Sequence, residues 1–327
     1  MTELNNLLTF EPYFKPVLWG GDRIAALKHI ESPRCDIGES WEISAIPGHE
    51  SVVADGVFKG LSITELVGRY GASLVGSEVV AKWGDTFPLL IKFIDARHDL
   101  SVQVHPDDEM ASRCHCSRGK TEMWYVIDAE PGAVIYAGFP RTITPESFFR
   151  SASEGTALES LSRFEAEKGQ FYYIPAGTVH AIGAGVLIAE IQETSDISYR
   201  IYDYGRKDSD GNARRLHIDE AREAIDFRPD TWNPCTVPDK SKANIIECDF
   251  FRVDYITPSQ GLPVTFENPE SRSFSIIMAV HGDIVCRIGD SSFSLPVGHT
   301  GLVPASVASF SVKSDTPFLI ISHPGRQ

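Results

Sequence analysis

LSVQVHP (100–106), KTEMWYV (120–126) and GVLIAEIQ (185–192) decide how this chain is read. Each is a short run rich in β-branched and aromatic residues, and successive side chains in a strand point to opposite faces. In the first run Val102 and Val104 face one way while Gln103 and His105 face the other. In the second, Lys120, Glu122 and Trp124 share a face. In the third, Leu187, Ala189 and Ile191 pack outward, which leaves Ile188, Glu190 and Gln192 facing inward. Polar side chains therefore recur on one side of otherwise apolar strands. A barrel interior lined with polar groups needs a ligand, a metal or water to satisfy them.

Working outward, LLIKFIDA (89–96), GQFYYIP (169–175) and ISYRIYDY (197–204) have the same strand character, punctuated by Gly, Pro, Asp and Ser. This spacing favours a closed antiparallel barrel or sandwich over alternating βαβ units. Helices are expected at SITELVGRYGASLVG (62–76), opened by Thr64 and Glu65, and at HIDEAREAIDF (217–227), where Ile218, Ala221 and Ile225 share a face. The Pro-rich DFRPDTWNPCTVPDKSK then reads as a linker, after which strands resume. The expected division is a catalytic domain over 1–235 and a smaller β domain over 236–327. A faint internal echo aligns KGQFYYIPAGTVHAIG with LPVGHTGLVPASVASFSV through a strand–Pro-Ala–strand arrangement. It places His180 opposite Ser309, so the second copy is expected to lack a metal site.

The bulk properties narrow the function. With 327 residues, 42% hydrophobic content and 18 Phe, the chain is an ordinary globular protein. Its formal net charge of -15 repels nucleic-acid backbones and anionic lipid. A phosphorylated ligand would need a local basic pocket. The N-terminus lacks the basic and apolar regions of a signal peptide, and no apolar stretch is long enough to span a bilayer. Six cysteines are too sparse for a disulfide scaffold, so a reducing cytoplasm is expected. No nucleic-acid or membrane partner is expected, and the residues do not decide between monomer and homodimer.

His105, Glu122 and His180 are the candidate metal ligands, two neutral and one anionic, with Gln103 beside them. Imidazole and carboxylate are standard zinc donors, and a three-residue set keeps a coordination position open. The competing reading makes the histidines turn residues bonded to backbone and leaves Glu122 solvated; no compact zinc signature such as HExxH decides between them. Arg200, mid-strand, and Lys120 are the positive charges available to a phosphate or a developing oxyanion.

Six ordered blocks carry a resemblance: WGG (19–21), GESWEIS (38–44), FPLLIKFIDARHDLSVQVHPDD (87–108), GKTEMWYV (119–126), YYIPAGTVHAIGAG (172–185) and IAEIQETSDISYRIYDYGR (188–206). The chain resembles the compact bacterial-type class I mannose-6-phosphate isomerases. That resemblance implies a mainly β cupin (jelly-roll) catalytic domain with helical elements, a degenerate C-terminal cupin-like barrel, and one zinc per chain. It implies interconversion of mannose 6-phosphate and fructose 6-phosphate by proton transfer between C1 and C2 through an enediolate. It also implies His105, Glu122 and His180 as ligands, Gln103 beside them as a fourth candidate, Arg200 as catalytic, and Lys120, Glu190 and Asp196 as pocket residues. A different sugar-phosphate isomerase or epimerase, a non-catalytic sugar-binding cupin and a metal-dependent oxygenase are the alternatives. Cys114 and Cys116 flank His115 next to the metal block and are expected as free surface thiols on a loop rather than as a second metal site.

Overall fold

The structure is a computed structural model; it describes residues 4–31, 35–207, 211–230, 234–238, 240–259, 261–268 and 273–324. Among these residues strands form four sheets. A seven-stranded antiparallel sheet runs in the order Cys235–Thr236, Gln170–Ile174, Glu122–Ala129, Val186–Glu193, Leu89–Ala96, Ile37–Ile43 and Tyr13–Gly21. A five-stranded sheet runs Tyr199–Tyr202, Val102–Val104, His180–Ile182, Val134–Ala137 and Arg163–Glu165.

The two sheets pack through Ile94, Trp124, Val126, Tyr172 and Ile188 on one side and Ile135, Ala137 and Ile182 on the other. The opposite face of the seven-stranded sheet, carrying Phe93, Met123, Tyr125, Leu187, Ala189 and Ile191, packs on Phe251, Val253, Ile276 and Leu319. This is the alternation expected from the period of two. Val102, Val104, Ala181 and Tyr199 cover the outer face of the five-stranded sheet, beneath the helices Pro145–Ser153 and Ile218–Ala224. Gln103 is thereby turned inward.

The WGG and GESWEIS blocks have a steric basis. A Cβ at Gly38 would lie 2.3 Å from Val17 Cγ2 and 2.6 Å from Trp19 Cζ3, so only glycine lets the Trp19 strand lie against Ile37–Ile43.

The remaining strands form a six-stranded sheet, into which Leu8–Thr9 is paired beside Thr300–Val303, and a four-stranded sheet. They enclose an apolar layer that includes Ile277, Ile284, Cys286, Phe310, Val312 and Phe318. Residues 8–9 thus add a strand to a sheet built from the C-terminal third. The strand–Pro-Ala–strand arrangement is present twice, with His180 and Ser309 each opening the second strand. Part of the linker, 231–233 and 239, lies outside the described residues.

Three local expectations are corrected. The helix expected over 62–76 is two, Ile63–Tyr70 and Ala72–Val75, because Gly71 adopts φ 46 and stops the first. The first helix begins at a capping box: Ser62 Oγ accepts from Glu65 N at 3.1 Å, and Glu65 Oε2 accepts from Ser62 N at 2.9 Å. The helix expected over 217–227 is shorter, Ile218–Ala224. Cys114 is not on a loop but in the last turn of the helix Asp108–His115, which Asp107 caps by accepting from Met110 N at 2.8 Å. Cys116 ends that helix in the left-handed conformation, and both thiols are free and exposed. Among the described residues, no helix is long and apolar enough to cross a membrane.

Candidate metal centre

Three strands meet at one point. His105 follows Val102–Val104, Glu122 opens Glu122–Ala129 and His180 opens His180–Ile182. Strand register sets their neighbours: Gln103 pairs with His180 on one side and Arg200 on the other, while Gln192 pairs with Glu122. The turn before His180 is tied down where Gly177 N donates to His105 O at 2.9 Å.

His105, Glu122 and His180 are buried, and their ligand atoms all lie within 4.8 Å of one another. His105 Nε2 is 3.4 Å from Glu122 Oε2, and His180 Nε2 is 3.5 Å from Glu122 Oε1. Donors about 2.0–2.1 Å from a tetrahedral ion stand roughly 3.4 Å apart, so the spacing suits zinc. His105 Nδ1 bonds Ile197 O at 3.0 Å and His180 Nδ1 bonds Thr178 O at 2.9 Å. A carbonyl can only accept, so each Nδ1 carries its proton and each Nε2 presents a lone pair to the centre.

The charge state agrees with that arrangement. Burial, reinforced by Lys120, holds His105 down at about 3, and burial lowers His180 too. Burial alone would raise Glu122, but Lys120 and the two histidines carry it well below the ordinary carboxylate range. Two neutral imidazoles and one carboxylate result. His105 Nε2 and both Glu122 oxygens have no hydrogen-bond partner, although Lys120 Nζ lies 3.0 Å from Glu122 Oε2. Buried polar atoms without partners are costly, and a cation between them would remove that cost. The donor set fits a divalent metal.

The other expected residues converge on one cavity of about 260 Å³: Gln103, Lys120, Glu190, Asp196 and Arg200 all line it. Gln103 Nε2 is 3.3 Å from His180 Nε2, and turning the amide over would present its oxygen instead. Glu190 accepts from Trp124 Nε1 at 3.0 Å and pairs with Lys92 Nζ at 3.0 Å. Burial raises its ionisation above the ordinary value, with Lys92 opposing that rise. Asp196 also borders a neighbouring cavity of about 770 Å³.

Lys92, Glu39, Trp41 and Arg214 also line the cavity and were not singled out from sequence. Lys92 bridges Glu190 and Glu39, at 3.0 and 3.5 Å, and Glu39 also accepts from Trp41 Nε1 at 2.8 Å. Glu39 is held at about 2, where burial is outweighed by Lys92, Lys15 and the Trp41 bond. The signal for Lys92 was present: a lysine inside the apolar run LLIKFIDA, on the same face as Ile94.

The family model for the type I phosphomannose isomerase catalytic domain matches residues 7–133. The chain is 36% identical over 322 residues to mannose-6-phosphate isomerase ManA of Bacillus subtilis, covering 97% of this chain and 98% of that protein. It belongs to the phosphomannose isomerase family. A crystal structure of a mannose 6-phosphate isomerase from Bacillus subtilis superposes with a TM-score of 0.85 at 31% identity, over 97% of this chain and 99% of that one. The fold is also that of a zinc-bound mannose 6-phosphate isomerase, with a TM-score of 0.79 at 14% identity, over 98% of this chain and 100% of that one. The phosphomannose isomerase blocks read from sequence therefore lie where the cavity and the candidate ligands are. The cupin-type, mainly β fold expected for that family is the fold observed.

Proposed function

We propose that this phosphomannose isomerase interconverts mannose 6-phosphate and fructose 6-phosphate with one zinc ion held by His105, Glu122 and His180. The observation that carries the reading is the buried trio, its ligand atoms within 4.8 Å of one another and His105 Nε2 and Glu122 Oε1 without a partner, beside a cavity lined by Lys120, Glu190, Asp196 and Arg200. A different sugar-phosphate isomerase would share the metal and differ in stereochemistry; family membership favours mannose 6-phosphate. A purely sugar-binding role leaves this set of charges without use. In this reading residues 1–235 carry catalysis in the cytoplasm, and 236–327 form a cupin-like support without a metal.

Zinc, when bound, supplies a Lewis acid for the oxygens at C1 and C2. The chain's own residues do the rest. Aldose–ketose isomerisation removes a proton beside a carbonyl, and the costly species is the enediolate. Arg200 steadies the negative charge that develops on it. Lys120, anchored 3.0 Å from Glu122, donates to a substrate oxygen. Glu190 is the carrier we favour for the proton between C1 and C2, since burial raises its proton affinity while Lys92 holds it in place. Asp196 orients hydroxyls at the cavity wall. Gln103, with its amide turned so that Oε1 faces the centre, stands at the edge of the ligand set beside His180.

A coupled assay with mannose 6-phosphate, before and after chelation and zinc restoration, tests the proposal. Turnover lost on chelation and regained with zinc is expected. Full turnover in a metal-free protein would refute the metal assignment. No turnover of mannose 6-phosphate, with turnover of another hexose phosphate, would refute the substrate.

A further inference from the structure

Charge is distributed unevenly along the cavity. The lysines of its lining each have an anionic partner: Lys120 with Glu122, Lys92 with Glu190 and Glu39, and Lys15 with Glu39 at 3.3 Å. Arg200 and Arg214 also line the cavity, and Arg206 stands beside them. Among the described residues, Asp203 is the one carboxylate that pairs with Arg206 and Arg214, at 2.7 and 3.2 Å. Two guanidiniums thus share one buried carboxylate beside a third, Arg200, within a protein of net charge -15.

The arginines are not equivalent. Arg206 spends its donors on backbone and on Asp203: Nη1 on Asp99 O at 2.6 Å, Nε on Asp203 O at 3.3 Å and Nη2 on Asp203 Oδ1 at 2.7 Å. It holds the segment in place. Arg200 donates Nη1 to Arg215 O at 2.8 Å, but its Nε is buried with no partner. Burial first, and then the cations Arg214 and Arg206, pull its ionisation below the ordinary value. Arg214 contacts Asp203 through Nη1 alone among the bonds described, and a guanidinium has five N–H donors. It also borders the adjoining cavity of about 590 Å³, together with Val17, Trp19, Arg97 and Asp36. Arg214 therefore stands where the reaction cavity meets a wider space.

We propose that Arg214 is the residue that grips the phosphate of the substrate and selects a phosphorylated sugar over a free one. The inference rests on the sugar-phosphate reading above. A dianion placed against Arg214 relieves the crowding of cations around Asp203 and takes a two-pronged contact that lysine could not reproduce. Arg214 binds a part of the substrate that does not react, so its loss appears in KM more than in kcat.

The test uses the full-length, metal-loaded enzyme. Arg214→Met is expected to raise KM for mannose 6-phosphate about tenfold or more, with kcat changed by less than about threefold. Competitive inhibition by inorganic phosphate should weaken by a similar factor, with metal content unchanged. Arg214→Lys should fall between the two proteins. Unchanged KM and unchanged phosphate inhibition in Arg214→Met would overturn the subsite. Should that variant not fold, the wild-type enzyme can be treated with an arginine-directed dicarbonyl and its peptides mapped. Inorganic phosphate should protect Arg214, and absence of protection overturns the proposal. Direct titration with inorganic phosphate separates this from the functional reading. Phosphate binding that needs Arg214, in a protein that does not turn over mannose 6-phosphate, keeps the anion subsite and removes the substrate. Turnover without any phosphate binding removes the subsite and keeps the substrate.

Discussion

The two strand–Pro-Ala–strand units use one local geometry for opposite purposes. In the first, the second strand opens with buried His180, and the space between the sheets holds Lys92, Lys120, Glu122, Glu190 and Gln192. In the second, the equivalent position is exposed Ser309, and the layer behind it is filled by Ile284, Cys286, Phe310, Val312 and Phe318. Apolar packing stabilises at little risk, whereas a polar interior is favourable only when every group finds a partner. The C-terminal layer can therefore brace the seven-stranded sheet from behind, through Tyr125, Tyr255 and His281 among others. The N-terminal interior retains partnerless donors that suit a metal and a substrate.

The largest expected effect breaks the polar side of this contrast. His180→Ala should lose bound metal and activity together, read by metal analysis and the coupled assay; intact metal content would remove His180 from the ligand set. Arg200→Ala should keep the metal and lower kcat by about 10²–10³, the usual effect of deleting one donor to a developing oxyanion. Unchanged kcat would take Arg200 out of the chemistry. On the apolar side, Phe318→Ala should cost about 3–5 kcal/mol of stability in denaturant titration, with kcat per folded molecule unaltered at low temperature. A kcat lowered as much as by Arg200→Ala would mean the second layer does more than support.

The strand alternation made much of this legible. Gln103, Lys120, Glu122 and Glu190 were turned inward by a period of two; the sheets carry Gln103, Glu122 and Glu190 that way, and Lys120, two residues before its strand, lines the cavity with Gln103 and Glu190. Leu89–Ala96 was bounded to the residue. Spacing alone did not choose between a metal and backbone-bonded histidines, because the decisive facts are distances between strands about 20 and 60 residues apart. Those histidines do bond backbone carbonyls, through Nδ1, while Nε2 faces the centre. The backbone-bonded reading thus accounts for Nδ1 and leaves Nε2 facing the other candidate ligands. Arg214 escaped notice for a different reason. It follows a polar sequence without hydrophobic periodicity, and only the fold brings it to Asp203 and the cavity.

The smallest effect concerns pH, and it sharpens the contrast because only an interior that buries titratable groups can show it. Glu193 is buried at the end of the strand that carries Glu190, accepting from Thr121 N at 2.8 Å. Burial raises it from 4.5 to about 7; the Thr121 bond and Lys82 oppose that rise, and Asp108 adds to it. A carboxyl with a raised folded value holds its proton in the folded state while the unfolded chain has released it. Stability is then fully present below 4.5, falls as pH rises through the window to about 7, and is flat above it. The linkage amounts to about 2–3 kcal/mol across the window. Denaturant titrations of the metal-free protein at pH 5 and pH 8 should show that loss on top of the other groups' contributions, and Glu193→Gln should shrink it. The buried Cys286 thiol in the apolar layer, pushed up to about 12 by burial, stays protonated across the same range. Cys286→Ala should therefore lower stability equally at both pH values, and a pH-dependent loss there would erase the distinction between the two interiors.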